Sequence, residues 1–203
     1  MTKIKICGLT RPIDIDWVNE AQPDYCGFII NVPKSRRNIT PAALRSLRSR
    51  LSKSIVPAGV FVDEPQDTII SLVRDHTLGA VQLHGSEDET YISDLKKEID
   101  VPVIKAFRVT SPESLRQAEK SSADLVLLDN GGGGTGLTFD WTLLKNIKRP
   151  YFLAGGLGPY NLEEAVKTVR PWGVDMSSGV ETGGIKDKEK ILAAVAAVRR
   201  IKL

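Results

Sequence analysis

Continuous apolar runs alternate with segments of helical periodicity from one end of the chain to the other. Residues 25–30 form one such run, as strands buried on both faces of a parallel sheet do. After Thr40-Pro41, a pair that favours a helix start, Leu44 and Leu47 lie on one helical face. We count eight strand–helix units, and their alternation predicts an α/β fold with a parallel sheet.

Eight units favour closure of this sheet into a (β/α)8 barrel, the TIM barrel, as one compact domain over residues 1–203. A flavodoxin-like open sheet, which needs fewer strands, is the alternative.

The C-terminal third repeats one pattern twice: a short apolar run that stops abruptly at small residues. The first copy ends at Gly155 and Gly156, and the second at Ser178 and Gly179. Small residues let backbone N–H groups approach a ligand closely, and two neighbouring strand ends of this kind suit a phosphate dianion. Asn161 is expected to cap the helix after the first copy. The alternative is that these glycines form ordinary tight turns.

Composition limits the possible partners. The 203 residues are 41% hydrophobic and 26% charged, with a net charge of +3, which is typical of a globular protein with a real core. We find no basic stripe interleaved with aromatics and no apolar run of membrane-spanning length, so we expect neither a nucleic-acid nor a membrane partner.

Two cysteines make no disulfide framework, no zinc-type spacing is present, and the N-terminus lacks the apolar core of a signal peptide. These features predict a cytoplasmic protein without a bound metal.

Reactive and polar side chains lie where the predicted strands end, which in a barrel is the active-site face. These residues are Cys7, Arg36, Arg37, Gln82, His84, Arg108, Asp129, Asp175, Ser177 and Ser178. A thiol and a carboxylate beside two phosphate loops favour acid–base chemistry on a phosphorylated small molecule. A thiol near an electropositive phosphate site is expected to have a lowered pKa and to act as a base. Each residue also has a structural explanation: Cys7 as a small buried side chain, Asp129 as a turn cap and His84 as a core histidine.

Six stretches carry a resemblance to a known family. They are Lys5-Ile6-Cys7-Gly8-Leu9-Thr10, Val81-Gln82-Leu83-His84-Gly85, Leu127-Leu128-Asp129, Gly133-Gly134-Thr135-Gly136, Ala154-Gly155-Gly156-Leu157 and Val174-Asp175-Met176-Ser177-Ser178-Gly179-Val180-Glu181. In their order and spacing, the chain resembles the phosphoribosylanthranilate isomerases of tryptophan biosynthesis along almost its whole length.

The resemblance implies an Amadori rearrangement of N-(5-phosphoribosyl)anthranilate to the 1-deoxyribulose 5-phosphate derivative. It implies that Asp129 is the general acid at the ribose ring oxygen, that Cys7 is the general base at C2, and that Arg37 binds the anthranilate carboxylate. No cofactor is implied, because the substrate's own nitrogen supplies the electron sink. The implied phosphate-binding residues are Gly134, Gly136, Gly155, Gly156, Ser178 and Gly179, and the implied pocket-lining residues are Gln82, His84 and Asp175.

Several alternatives stay open at the level of sequence. Either Arg36 or Arg37 can be the carboxylate ligand, although Arg37 matches the family position, and the extra glycines at 131 and 132 leave the register of that loop open. The related isomerase of histidine biosynthesis does the same chemistry, but resemblance to it implies a carboxylate where Cys7 stands. A non-catalytic phosphate-binding barrel is the third possibility, and the chain is expected to be a monomer or a homodimer.

Overall fold

The computed structural model describes residues 1–129, 141, 144 and 147–201. The strands are β1 (Lys3–Cys7), β2 (Tyr25–Ile30), β3 (Asn38–Ile39), β4 (Val56–Phe61), β5 (Ala80–Leu83), β6 (Val103–Arg108), β7 (Leu125–Asp129), β8 (Tyr151–Leu153), β9 (Gly173–Met176), β10 (Glu181–Thr182) and β11 (Ile185–Lys186). The helices are α1 (Pro12–Ala21), α2 (Pro41–Arg48), α3 (Gln66–Arg74), α4 (Glu89–Glu98), α5 (Pro112–Lys120), α6 (Leu162–Val169) and α7 (Lys188–Arg200). Within the described residues, no helix combines the length and the apolar character that crossing a bilayer requires.

The main sheet closes on itself. Strand β1 pairs in parallel with β9 on one side and with β2 on the other, and the remaining strands follow in the order β8, β7, β6, β5 and β4. The predicted (β/α)8 barrel is therefore confirmed. The open-sheet alternative is wrong, because an open sheet would leave β1 or another strand as a free edge. The short strand β3 lies outside the barrel and pairs only with the end of β2 among the described strands.

Alternation along each barrel strand divides the core into two layers. In β1, Ile4 and Ile6 belong to the large apolar cluster between the sheet and the helices. A smaller cluster, built on Ile104, Leu127 and Phe152, fills the barrel. It is completed by an aromatic group in which Phe152 makes edge-to-face contacts with Tyr25 and Trp172, at 5.6 and 5.0 Å between ring centroids. Because Tyr25 begins β2 and Trp172 precedes β9, this group closes the amino-terminal end of the barrel, and the opposite end remains for a site.

Two predicted helix starts have different outcomes. Thr40 caps α2, since its hydroxyl oxygen accepts a hydrogen bond from the Ala43 N–H at 3.2 Å. Asn161 precedes α6 as predicted, but its side chain makes no capping hydrogen bond. Its amide oxygen instead accepts from the Gly158 N–H at 2.9 Å, and its amide nitrogen donates to the Gly156 carbonyl at 3.0 Å. The Asn161 side chain therefore holds the loop at Gly156 and Gly158 by hydrogen bonds instead of capping α6.

Asp24, just before β2, joins three segments at the amino-terminal end of the barrel. Its carboxylate accepts from the Lys3 ammonium and the Ile4 N–H, both at 2.9 Å, and from Arg199 of α7 at 2.8 Å. Burial alone would raise the pKa of Asp24, but these donors outweigh it and the net shift is downward. Asp24 thus fixes the first strand against both its neighbour and the last helix.

Candidate active site

A cavity of about 230 Å³ opens at the carboxyl ends of β7, β8 and β9. Its lining residues are Arg37, Asp129, Ala154, Gly155, Gly156, Leu157, Asp175, Ser177 and Ser178. Six of the residues expected at the site therefore line one cavity. Cys7, Gln82, His84 and Gly179 lie beside it rather than in its wall, and Gly134 and Gly136 fall outside the described residues.

A second and larger cavity, of about 510 Å³, lies at the opposite end of the barrel, near Lys148, Tyr151 and Trp172. No carboxylate or thiol is among the described residues that line it. Volume alone would favour this cavity, but the carboxylates of Asp129 and Asp175 line the smaller one.

The loops that follow β8 and β9 pack backbone against backbone. Gly155 and Gly156 adopt φ angles of 91° and 65°, a region that favours glycine. A Cβ atom at Gly179 would lie 1.9 Å from the Leu157 carbonyl oxygen, a distance that no side chain tolerates. The two predicted phosphate loops are therefore in direct contact, which an ordinary pair of independent tight turns does not require.

Cys7 is the last residue of β1 and is only 6% exposed. It lies opposite Gly27 of β2, where a Cβ atom would come within 2.6 Å of the Cys7 sulfur. The missing side chain of Gly27 thus makes room for the thiol. Burial raises the pKa of Cys7, and the nearby Lys5 ammonium offsets this only in part. The expectation of a lowered pKa for the Cys7 thiol is wrong, because desolvation outweighs the surrounding positive charge.

Lys5 is a residue that the motif analysis missed. Its side chain is fully buried, and its ammonium donates to the Asp175 carboxylate at 2.9 Å across the β1–β9 pair. Burial lowers the pKa of Lys5, but Asp175 and Cys7 outweigh burial and the net shift is upward, so the ammonium stays charged. The available signal was a lysine between Ile4 and Ile6, where an apolar barrel strand would ordinarily carry no charge.

Glu181 and Lys186 are two further residues that the motif analysis did not assign to the site. The Glu181 carboxylate accepts from Arg37 Nε at 2.6 Å and Nη2 at 2.7 Å, from Arg36 Nη2 at 2.9 Å, and from the Lys186 ammonium. One buried carboxylate is thus shared by three cations, which leaves an excess of positive charge beside the cavity.

Arg37 reaches this cluster across Gly8, where a Cβ atom would lie 2.4 Å from the Arg37 Cδ. Its side chain is 18% exposed and lines the cavity, whereas Arg36 is 58% exposed and does not. The structure therefore distinguishes the two adjacent arginines by location, although Glu181 holds both.

Gln82 and His84 lie at the end of β5 and contact each other. The side-chain amide of Gln82 and His84 Nδ1 form a hydrogen bond of 2.9 Å. The His84 side chain is reached by solvent at the mouth of the barrel, but the surrounding strand ends partly desolvate its ring. This desolvation lowers its pKa, and the charge of Asp129 opposes the shift. The neutral form of the His84 imidazole is therefore favoured. Across the described part of the chain, no three His, Cys, Asp or Glu side chains converge on a point where a metal ion could bind.

The family model of N-(5'-phosphoribosyl)anthranilate (PRA) isomerase matches residues 4–197 of this chain. The chain belongs to the PRA isomerase family. The relative from Endomicrobium trichonymphae, named N-(5'-phosphoribosyl)anthranilate isomerase, is 45% identical over 205 residues, which cover 99% of this chain and 100% of that one.

Solved structures of PRA isomerases match equally completely. One is a complex with reduced 1-(o-carboxyphenylamino)-1-deoxyribulose 5-phosphate, at a TM-score of 0.85 and 33% identity, covering 99% of this chain and 100% of that one. Another shows monomers generated from the dimeric PRA isomerase of Thermotoga maritima, at a TM-score of 0.86, 34% identity and the same coverage. The resemblance found in the sequence motifs is thus confirmed at the level of the PRA isomerase family.

Proposed function

We propose that this chain converts N-(5'-phosphoribosyl)anthranilate to 1-(2-carboxyphenylamino)-1-deoxyribulose 5-phosphate in tryptophan biosynthesis, with Asp129 as general acid and Cys7 as general base. The observation that carries the proposal is one cavity, at the catalytic end of a PRA isomerase barrel, whose wall holds Asp129, Arg37 and both glycine loops. A thiol lies at the neighbouring end of β1.

The reaction divides into two proton transfers. Asp129 gives a proton to the ribose ring oxygen, the C1–O bond breaks, and the anthranilate nitrogen stabilises C1 as a protonated Schiff base. The Cys7 thiolate then takes the proton from C2, and the electron pair of that bond moves toward the nitrogen to give an enolamine. Protonation at C1 and loss of the C2 hydroxyl proton yield the ketone. The substrate nitrogen donates its lone pair to C1 in the first step and takes up the electron pair of the C2–H bond in the second, so the proposal requires no cofactor.

Binding at the two ends of the substrate would hold the ribose between acid and base. We assign the phosphate to Gly155, Gly156, Ser178 and Gly179, whose loops are in contact, and to Gly134 and Gly136, which fall outside the described residues. We assign the anthranilate carboxylate to Arg37, since the cluster around Glu181 has three cations for one carboxylate. Gln82, His84 and Asp175 are assigned to the wall around the ribose.

We further propose that the chain acts in the cytoplasm as one barrel domain, residues 1–203, and as a monomer or a homodimer. The Thermotoga maritima relative, a dimer from which monomers were generated, supports both states within the family.

The test is the loss of substrate fluorescence, with substrate made in situ from anthranilate and phosphoribosyl pyrophosphate. Cys7→Ala and Asp129→Asn should each reduce kcat by about 10²–10⁴-fold, the usual contribution of a general acid or base. Cys26→Ala is the matched control. Cys26 is fully buried in β2, and its side chain packs in the apolar cluster between the sheet and the helices, whereas Cys7 points into the barrel. No turnover by the wild-type chain would refute the proposed function. More than about a tenth of wild-type kcat in either variant would refute that residue's role.

A further inference from the structure

The buried lysine of β1 lies on the same face of its strand as the cysteine. Side chains of a strand alternate between its two faces, so Lys5 and Cys7 both point into the barrel while Ile4 and Ile6 point toward the helices. The Lys5 side chain has no solvent exposure, and its position two residues before Cys7 on the same strand face places it beside the thiol. A cation held this close to a sulfur in a dry interior acts on it with little screening.

Several charged or titratable groups face this thiol. Asp175 of β9 lies beyond Lys5 and opposes its effect, while Lys186 of β11 and Arg37 of the loop after β2 add positive charge at longer range. Cys26 of β2 is also near, but burial raises its pKa strongly, so it stays a neutral thiol. Among these groups, Lys5 exerts the largest charge effect on Cys7.

We propose that the Lys5 ammonium is the counter-cation that stabilises the thiolate form of Cys7, and that Asp175 holds this ammonium in place. Lys5 is then a positioning residue: it touches no substrate and acts through the thiolate. Its consequence for turnover rests on the proposed role of Cys7 as base, but its effect on the thiol does not.

A purely structural role is the competing explanation, and the cost of burial argues against it. An ion pair buried in a core is often no more stabilising than apolar side chains of similar volume, because both charges must be desolvated. The cluster of Ile104, Leu127 and Phe152 that fills the barrel is apolar, so an apolar side chain at position 5 could pack there without the cost of burying a charge. A cation at this depth is accounted for by the thiol that shares its face of β1.

The experiment titrates Cys7 directly in a Cys26→Ala background, by the pH dependence of its alkylation with iodoacetamide. Lys5→Met removes the charge but keeps an unbranched side chain of similar length. It should raise the pKa of Cys7 by about one or more and so cut the thiolate fraction at a fixed pH at least about tenfold.

The double variant Lys5→Met/Asp175→Asn removes both charges. It should raise the pKa of Cys7 less than the single variant does, because the opposing carboxylate charge is also gone. This neutral pair also covers the case in which Lys5→Met alone does not fold, since it leaves no uncompensated buried carboxylate. Circular dichroism checks the fold of each variant.

Turnover separates this inference from the proposed function. If both hold, the acid limb of kcat/KM against pH moves upward by the same amount as the alkylation profile. If the alkylation profile moves and the limb does not, the coupling of Lys5 to Cys7 stands and the assignment of Cys7 as base fails. An alkylation profile that moves in neither the single nor the double variant overturns the inference, whatever happens to turnover.

Discussion

Replacing Arg37 with alanine tests how the site reads the aromatic half of its substrate. In the structure, two of the nitrogens of the Arg37 guanidinium, Nε and Nη2, donate to Glu181. The third, Nη1, donates to no described residue. A substrate carboxylate therefore gains about one charge-assisted hydrogen bond without displacing Glu181.

The size of the effect follows from that geometry. A hydrogen bond to a charged group contributes about 1.5–3 kcal/mol, so Arg37→Ala should lower kcat/KM roughly 10- to 100-fold. The loss should fall mainly on KM if the contact is equally strong in the ground and transition states. The fold should survive, because Glu181 keeps Arg36 and Lys186 as partners. Arg37→Lys should recover only part of the loss, since an ammonium does not reproduce the planar fork.

Two controls make the test specific. Arg36→Ala removes the neighbouring, largely exposed arginine from the same carboxylate and should change kcat/KM less than about twofold at physiological salt. An analogue of the substrate made from aniline lacks the carboxylate, so Arg37→Ala should leave its kcat/KM nearly unchanged. A larger defect in Arg36→Ala than in Arg37→Ala, or an equal loss on the aniline analogue, would refute the assignment.

Three other outcomes are expected. Gly179→Ala should weaken competitive inhibition by inorganic phosphate and raise KM, because the new methyl group would collide with the Leu157 carbonyl and separate the two loops. Phosphate inhibition equal to that of the wild type would show that the contact between these loops plays no part in phosphate binding. Asp24→Asn should lower the free energy of unfolding in urea by about 1–3 kcal/mol at pH 7. The folded-state pKa of Asp24 is depressed, so this contribution is complete above the unfolded pKa and is lost as the pH falls through the folded pKa. The difference from wild type should therefore shrink in acid, below the unfolded pKa, and a difference independent of pH would contradict the argument. Dialysis against EDTA should leave turnover unchanged, since the substrate nitrogen is the electron sink, and a loss restored by one divalent ion would require a different mechanism.

The fold was predictable because its signals are local. Most barrel strands are short runs of largely apolar residues and most of the helices between them show one apolar face, so the units could be counted without knowledge of their contacts. Thr40 could be assigned as a cap because a hydroxyl there has one common use. Asn161 was misassigned because an amide both donates and accepts, and here both groups bind the preceding loop.

The ion pairs of the site could not be predicted in the same way. Lys5 and Asp175 are 170 residues apart in sequence, and Arg37 and Glu181 are 144 apart. Only the closed barrel brings each pair together, and charged residues are common enough that composition does not select these four. The pKa of Cys7 was misjudged for a related reason: its positive neighbours follow from the fold class, but the depth of its burial depends on the exact fit against Gly27.

The bond between the first and the last barrel strands has a consequence for how the protein reaches its active form. Strands β1 and β9 pair across a sequence separation of 170 residues at Lys5 and Asp175, and contacts of such long separation carry the largest loop-closure cost in folding. As long as β1 and β9 are not paired, the Lys5 ammonium and the Cys7 sulfur are both exposed to water. Any form of the chain in which β1 and β9 are apart therefore holds a solvated Cys7 with an ordinary thiol pKa, and pairing of these two strands both completes the site and buries its thiol.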